Sequence, residues 1–135
     1  MKKILILCFV AFQSCLPKND KLEGNWYACD HNGNYQELLI KKDSLRLVLS
    51  VGHATSWANY KIKSDTLYIL NSTEWRDSTK AILGFNTDNT LSIKFTNTNY
   101  TTVYRPLNKV VKNPDKYREL IFETKNRARK SECNK

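Results

Sequence analysis

The sequence predicts a mainly β protein: an eight-stranded antiparallel up-and-down barrel followed by one C-terminal α-helix. Three observations carry that prediction. From Gly24 to Arg105, apolar and polar residues alternate with period two in short runs, the pattern of strands with one buried face. Brief links rich in Asn, Asp, Gly and Ser separate the runs, and these residues close turns. After Asn113 the apolar spacing becomes helical. Eight hairpin-linked strands can close on themselves and leave no exposed edge. A two-sheet sandwich is the alternative that the same alternation allows.

The first residues concern the address of the protein. Lys2 and Lys3 precede an unbroken apolar run from Ile4 to Phe12. Nine residues fall short of the roughly 20 that a membrane-spanning helix needs, so the run reads as a signal peptide. Phe12-Gln13-Ser14-Cys15 then resembles the lipobox cut by lipoprotein signal peptidase, although Phe12 and Gln13 depart from its preferred residues. The competing reading is an ordinary secretory signal cut elsewhere. The lipobox resemblance implies acylation of Cys15, a membrane contact through the acyl chains, and a place in the bacterial cell envelope as an outer-membrane lipoprotein. The expected organisation is a signal over 1–14, a lipidated tether over 15–22, and one barrel domain over 23–135. Cleavage before Cys15 leaves 121 residues, enough for one core.

The expected strands are Asn25–Asp30, Tyr35–Lys41, Ser44–Ser50, Ser56–Lys63, Thr66–Leu70, Thr79–Asn86, Thr90–Thr96 and Thr101–Arg105. In the second, Leu38 and Ile40 form one face. Leu45, Leu47 and Leu49 follow in the third, and Ala58, Tyr60 and Ile62 in the fourth. Ala81, Leu83 and Phe85, then Leu91, Ile93 and Phe95, repeat the pattern. This inward set holds no charged residue. The helix is expected over 113–132, with Asn113 as cap, Pro114 in the first turn and Asp115 complementing the dipole. Tyr117, Leu120, Ile121, Thr124 and Ala128 make its apolar stripe, with Arg118, Lys125, Arg127, Arg129 and Lys130 off it.

Of four cysteines, Cys8 leaves with the signal and Cys15 is acylated on this reading. Cys29 and Cys133 remain, and an oxidising compartment favours a disulfide between them over two free thiols. Charge is uneven. From Cys15 to Tyr104, ten basic residues face nine acidic ones; from Arg105 onward the counts are ten and four. Such a basic tail suits an anionic surface or is simply a solvated helix face. Nucleic acid is not an expected partner, and the chain reads as a monomer.

Leu22-Glu23-Gly24-Asn25-Trp26 resembles the Gly-x-Trp opening strand of the lipocalins. The resemblance extends to eight strands followed by a helix, though the family's Thr-Asp-Tyr motif is missing. It implies that Trp26 plugs the barrel base and that Arg105 packs across its indole, a favourable cation–π pairing. It also implies a non-enzymatic barrel holding a small hydrophobic molecule, with Leu38, Leu47, Tyr60, Leu83, Phe85 and Phe95 as lining candidates. An eight-stranded barrel can equally be filled by its own side chains, and strands this short favour a small or absent cavity.

Catalytic patterns are missing from the sequence. Cys29-Asp30-His31 places neighbouring side chains on opposite faces and lacks the spacing of a zinc site. No Gly-x-Ser-x-Gly, His-Glu-x-x-His or phosphate loop occurs, and Glu37, Glu74, Asp77 and Asp88 are scattered over exteriors and turns. No enzyme activity, metal or cofactor is implied. Trp57 falls on the outer phase of its strand, and Trp75 lies in a polar connection beside Arg76. With Arg127, Arg129 and Lys130 they are candidates for a surface that binds a protein or an anionic partner. The alternative for Trp57 is cover by the helix. Two functions therefore compete: an envelope lipoprotein that binds a small apolar ligand or lipid, and a packed barrel that binds another protein through its outer surface.

Overall fold

In a computed structural model, which describes residues 21–70, 72–75 and 79–134, the alternating segments form a closed barrel. The strands are β1 (Gly24–Cys29), β2 (Tyr35–Ile40), β3 (Ser44–Leu49), β4 (His53–Ala54), β5 (Ala58–Lys63), β6 (Thr66–Leu70), β7 (Lys80–Phe85), β8 (Leu91–Phe95) and β9 (Thr102–Pro106). All pairings are antiparallel. The sheet closes through β9 and β1, where Trp26 faces Pro106 and Tyr27 faces Arg105. Eight strands make the wall. The ninth, β4, is a two-residue addition against the end of β3, pairing Val48 with Ala54. Gly52 makes that fold-back possible, since its φ of +106° is one that side chains rarely tolerate.

The inward phase of every strand feeds one core. Leu38, Ile40, Leu45, Ala58, Tyr60, Leu67, Ile69, Ala81, Leu83, Leu91 and Ile93 are all buried in it. A second, smaller cluster lies on the outside of the wall. There Leu39, Val48 and Ala54 meet Val111 and Leu120, with Trp57, Leu107 and Ile121 packed at the edge. The cover is α1 (Tyr117–Arg129), which lies against β2, β3 and β4 and buries Leu120, Thr124 and Ala128. Consequently β2 is buried at all six positions, on both faces.

The helix is shorter than the predicted 113–132. Its N-cap is Lys116, which provides no side-chain cap. Asn113 instead closes a turn, its carbonyl accepting from Lys116 N, and its amide donates to Glu119. The segment before the helix is pulled onto the barrel wall by side chains from the strands. Arg46, buried although charged, donates to the carbonyls of Thr55 and Pro114 at 2.7 Å each. Trp57 Nε1 donates to Asp115 at 2.7 Å. These bonds divert Pro114 and Asp115 from a first helical turn. After α1 a 3-10 turn, Glu132–Asn134, brings Cys133 to Cys29, and the two form a disulfide with Cα atoms 5.4 Å apart.

Candidate functional site

In an up-and-down barrel, successive connections alternate between the two ends. The β1–β2, β3–β5, β6–β7 and β8–β9 connections thus share one end, called the mouth. The other end, the base, carries the chain entering β1 and the remaining connections.

The base is sealed. Trp26 is buried and its Nε1 donates to the Leu22 carbonyl at 3.0 Å. Tyr60 is also buried, with its hydroxyl within 3.0 Å of the Lys41 carbonyl and 3.1 Å of Lys42. Burial, with the nearby charges of Glu23 and Asp43, pushes the Tyr60 hydroxyl up to about 12. Each large aromatic fills the apolar interior while its polar tip is satisfied by backbone. A hollow of about 20 Å³ lies there, edged by Ile62, Ser64, Asp65, Leu83 and Phe85.

At the mouth the barrel is open, over a cavity of about 300 Å³. Its walls are the upper inward residues Leu38, Leu45, Leu47, Leu49, Leu67, Ile69, Ile93 and Phe95, with Trp75. A polar ring surrounds them. Gln36 Nε2 donates to the Tyr104 hydroxyl at 2.9 Å, and burial holds that hydroxyl well above the usual tyrosine range. Asp30, His31, Thr55, Glu74, Thr98, Tyr100 and Thr102 complete the ring. Burial works to raise the Asp30 carboxyl, but hydrogen bonds from Asn34 and Asn32 outweigh it and hold the group below the usual carboxylate range. The His31 and Tyr100 rings lie 4.4 Å apart, centroid to centroid. Glu74 accepts from Ser56 N and lies 4.0 Å from His53.

The predicted lining residues therefore divide between the ends. Leu38, Leu47 and Phe95 face the mouth cavity, whereas Leu83 and Phe85 edge the base hollow and Tyr60 is part of the seal. The expectation of a small or absent cavity agrees with both ends: a small cavity at the mouth and close packing at the base.

The predicted surface residues are rearranged more. Trp75 is not an exposed hot spot: it is 5% exposed, inside the core, with its ring 6.1 Å from Phe95. Its Nε1 has no hydrogen-bond partner among the described residues. Trp57 is half-buried at the edge of the helix-covered cluster, bonded to Asp115, with Lys41 Nζ 4.0 Å above its ring. Arg105 does not cross the Trp26 indole. It stands opposite Tyr27 on the outer phase, because neighbouring positions on a strand face opposite sides, and it pairs with Glu132 at 2.7 Å.

Arg127 is no free surface cation either. Its guanidinium holds Glu37 through Nε at 2.6 Å and Nη2 at 3.0 Å. Tyr35 and Thr124 donate to the same carboxylate, at 2.8 and 3.1 Å, and Glu37 is wholly buried. Burial by itself would lower the Arg127 pKa, but these carboxylate contacts raise it instead. Glu37 was placed on the exterior by its phase, and that phase is correct; what covers the exterior there is α1. The signal was present in Leu39 and Val48, which are apolar on the outer phase and so mark a covered wall. Arg129 and Lys130 remain exposed. A second, more open hollow of about 570 Å³ lies on this outer side, among Tyr27, Tyr35, Arg105, Lys109, Arg127 and Lys130. Both of its arginines already hold carboxylates.

Among the described residues, no group of three His, Cys, Asp or Glu side chains could hold a metal. No described helix is long and apolar enough to cross a membrane. Cys15, the signal segment and most of the tether lie outside the described residues, as do Arg76 and Asp77. In comparisons with known proteins, no family model, no curated protein and no solved structure matches the chain.

Proposed function

We propose that this protein is a non-catalytic barrel of the bacterial envelope, anchored through Cys15, that takes a small and largely apolar molecule into its mouth. The observation that carries the proposal is the contrast within one interior. The base is closed by hydrogen-bonded aromatics, while the same core opens at the mouth into about 300 Å³ of apolar-walled space. That volume equals on the order of ten waters at roughly 30 Å³ each, at the lower end of small-molecule sites. It suits an alkyl chain or single ring system better than a whole diacyl lipid. The chain enters β1 at the base, the end opposite the mouth.

The rival, recognition of a protein through the outer surface, lost three of its proposed anchors. Trp75 is inside, Trp57 is bonded to Asp115, and Arg127 is committed to Glu37.

Calorimetry on the full chain carrying Cys15→Ser, kept free of detergent, tests the cavity. Decanol is expected to bind saturably at one site, and Leu47→Trp, which fills the space, is expected to weaken it at least about tenfold. Absence of saturable binding, or indifference to Leu47→Trp, contradicts the proposal. The anchor is tested separately: Cys15→Ser is expected to move the protein out of the membrane pellet.

A further inference from the structure

We infer that the mouth selects a cationic amphiphile, an apolar body ending in a protonated amine. This inference rests on the proposed reading of the mouth as a ligand cavity, and it names the head group that such a ligand carries.

The argument starts from where the charges are. The chain has 22 Lys and Arg against 13 Asp and Glu, a net charge of +9. The described residues of the four mouth connections, 30–34, 50–57, 72–75, 79 and 96–101, hold none of those basic residues and two acidic ones, Asp30 and Glu74. In a protein this basic, the mouth is a local acidic patch. Among the described residues that line the cavity, none is Lys or Arg, while Asp30 and Glu74 both stand at the rim. Arg76 and Asp77 lie outside the described residues and carry opposite charges.

The rest of the rim points the same way. Tyr100 stands at the rim with Trp75, Phe95 and Tyr104 lining the cavity, and aromatic faces attract a cation through their quadrupole. The hydrogen bonds that hold Asp30 below the usual carboxylate range keep it ionised. A carboxylate head such as that of a fatty acid would meet the two carboxylates there and no Lys or Arg among the described lining residues. The nearest rim side chains able to carry positive charge are His31 and, beside Glu74, His53. An ammonium head finds opposite charge and aromatic faces together, with its chain directed onto Leu38, Leu47 and Ile93 below. Non-specific attraction gives the reverse order, because a net charge of +9 draws anions to the surface and repels cations.

The test compares decylamine, decanol and decanoate at pH 7, by calorimetry on the detergent-free full chain carrying Cys15→Ser, below the micelle concentration of each probe. Decylamine is expected to bind about tenfold or more tighter than decanol, and decanoate weakest. Glu74→Gln is expected to weaken decylamine about fivefold and leave decanol unchanged. Asp30→Asn, which keeps the shape of a side chain that also closes a turn, is expected to do the same. A thermal melt on each variant separates lost binding from lost folding. If all three probes bind alike, or decanoate binds tightest, the cationic selection is overturned and the cavity stands. If none binds saturably, the cavity reading falls, and the head-group inference falls with it.

Discussion

At the base of the barrel, Trp26 and Tyr60 place their polar atoms on backbone carbonyls and their rings in the core, leaving a hollow of about 20 Å³. At the mouth, Phe95 and Trp75 lean on one another at 6.1 Å and leave about 300 Å³ open. Both ends are built by the same strands with the same alternation. The difference is made by aromatic side chains whose polar atoms reach backbone carbonyls at the base, whereas Trp75 Nε1 at the mouth has no such partner among the described residues. It teaches that an apolar interior phase does not distinguish a filled barrel from a receptive one. What distinguishes them is whether the aromatics at an end have backbone partners to close on. Charge is unevenly placed as well: the basic excess lies from Arg105 onward, where ten basic residues face four acidic ones, while the described residues of the mouth connections hold Asp30 and Glu74 and no Lys or Arg.

The largest expected effect tests the mouth end through its covalent tie. The Cys29–Cys133 bond joins the end of β1 to the turn after α1, across a sequence separation of 104. The chain-entropy model gives about 4–5 kcal/mol for closing such a loop. Hydrogen exchange after reduction is expected to rise in 117–134 and in the 30–34 turn, while strand amides near the base stay protected. Equal loss of protection at both ends would break the comparison.

Truncation sharpens it next. Trp26→Ala, at the sealed base, is expected to lower unfolding free energy by about 3–5 kcal/mol, whereas Phe95→Ala, beside existing empty space, costs under about 2 kcal/mol. Urea denaturation of the two variants measures the ratio, and similar costs would mean the mouth is as tightly packed as the base. The covered wall gives a third test. Arg127→Ala strands the buried Glu37 and is expected to cost about 3–5 kcal/mol, while exposed Arg129→Ala stays within about 0.5 kcal/mol.

A smaller effect concerns alkaline pH. The Tyr60 hydroxyl, pushed up to about 12, stays protonated in the folded barrel after its unfolded counterpart begins to ionise near 10. Its contribution is complete below about pH 10 and is lost as pH rises through about 12. Tyr60→Phe is expected to flatten that part of the stability curve, and an unchanged curve would place the alkaline loss elsewhere.

Much of the barrel was legible because burial on one face imposes period two, and the inward residues from Leu38 to Phe95 obey it. The less legible parts depend on contacts distant in sequence. Period alone put Glu37 correctly on the outer face but could not show that Arg127, ninety residues on, would cover it. Trp75 looked exposed because its neighbours are polar, and a connection carries no alternation to say which way a side chain turns. The helix starts later than the sequence predicts because Asn113, Pro114 and Asp115, though good local signals, are recruited to the wall by Arg46 and Trp57. β4 depended on a backbone reversal at Gly52. Within the candidate site, Leu38, Leu47 and Phe95 were legible. The acidic rim was not, because Asp30 and Glu74 come from two separate connections that only closure of the barrel brings to one end.

The contrast between the two ends is tested most directly by methyl NMR of the full chain carrying Cys15→Ser during titration with decanol. The account predicts saturable shifts at Leu47, Ile69 and Ile93, which line the mouth cavity, with Ile40 and Ile62 toward the base unmoved. Shifts confined to Leu107 and Ile121 on the outer wall, or equal shifts at both ends, would contradict it.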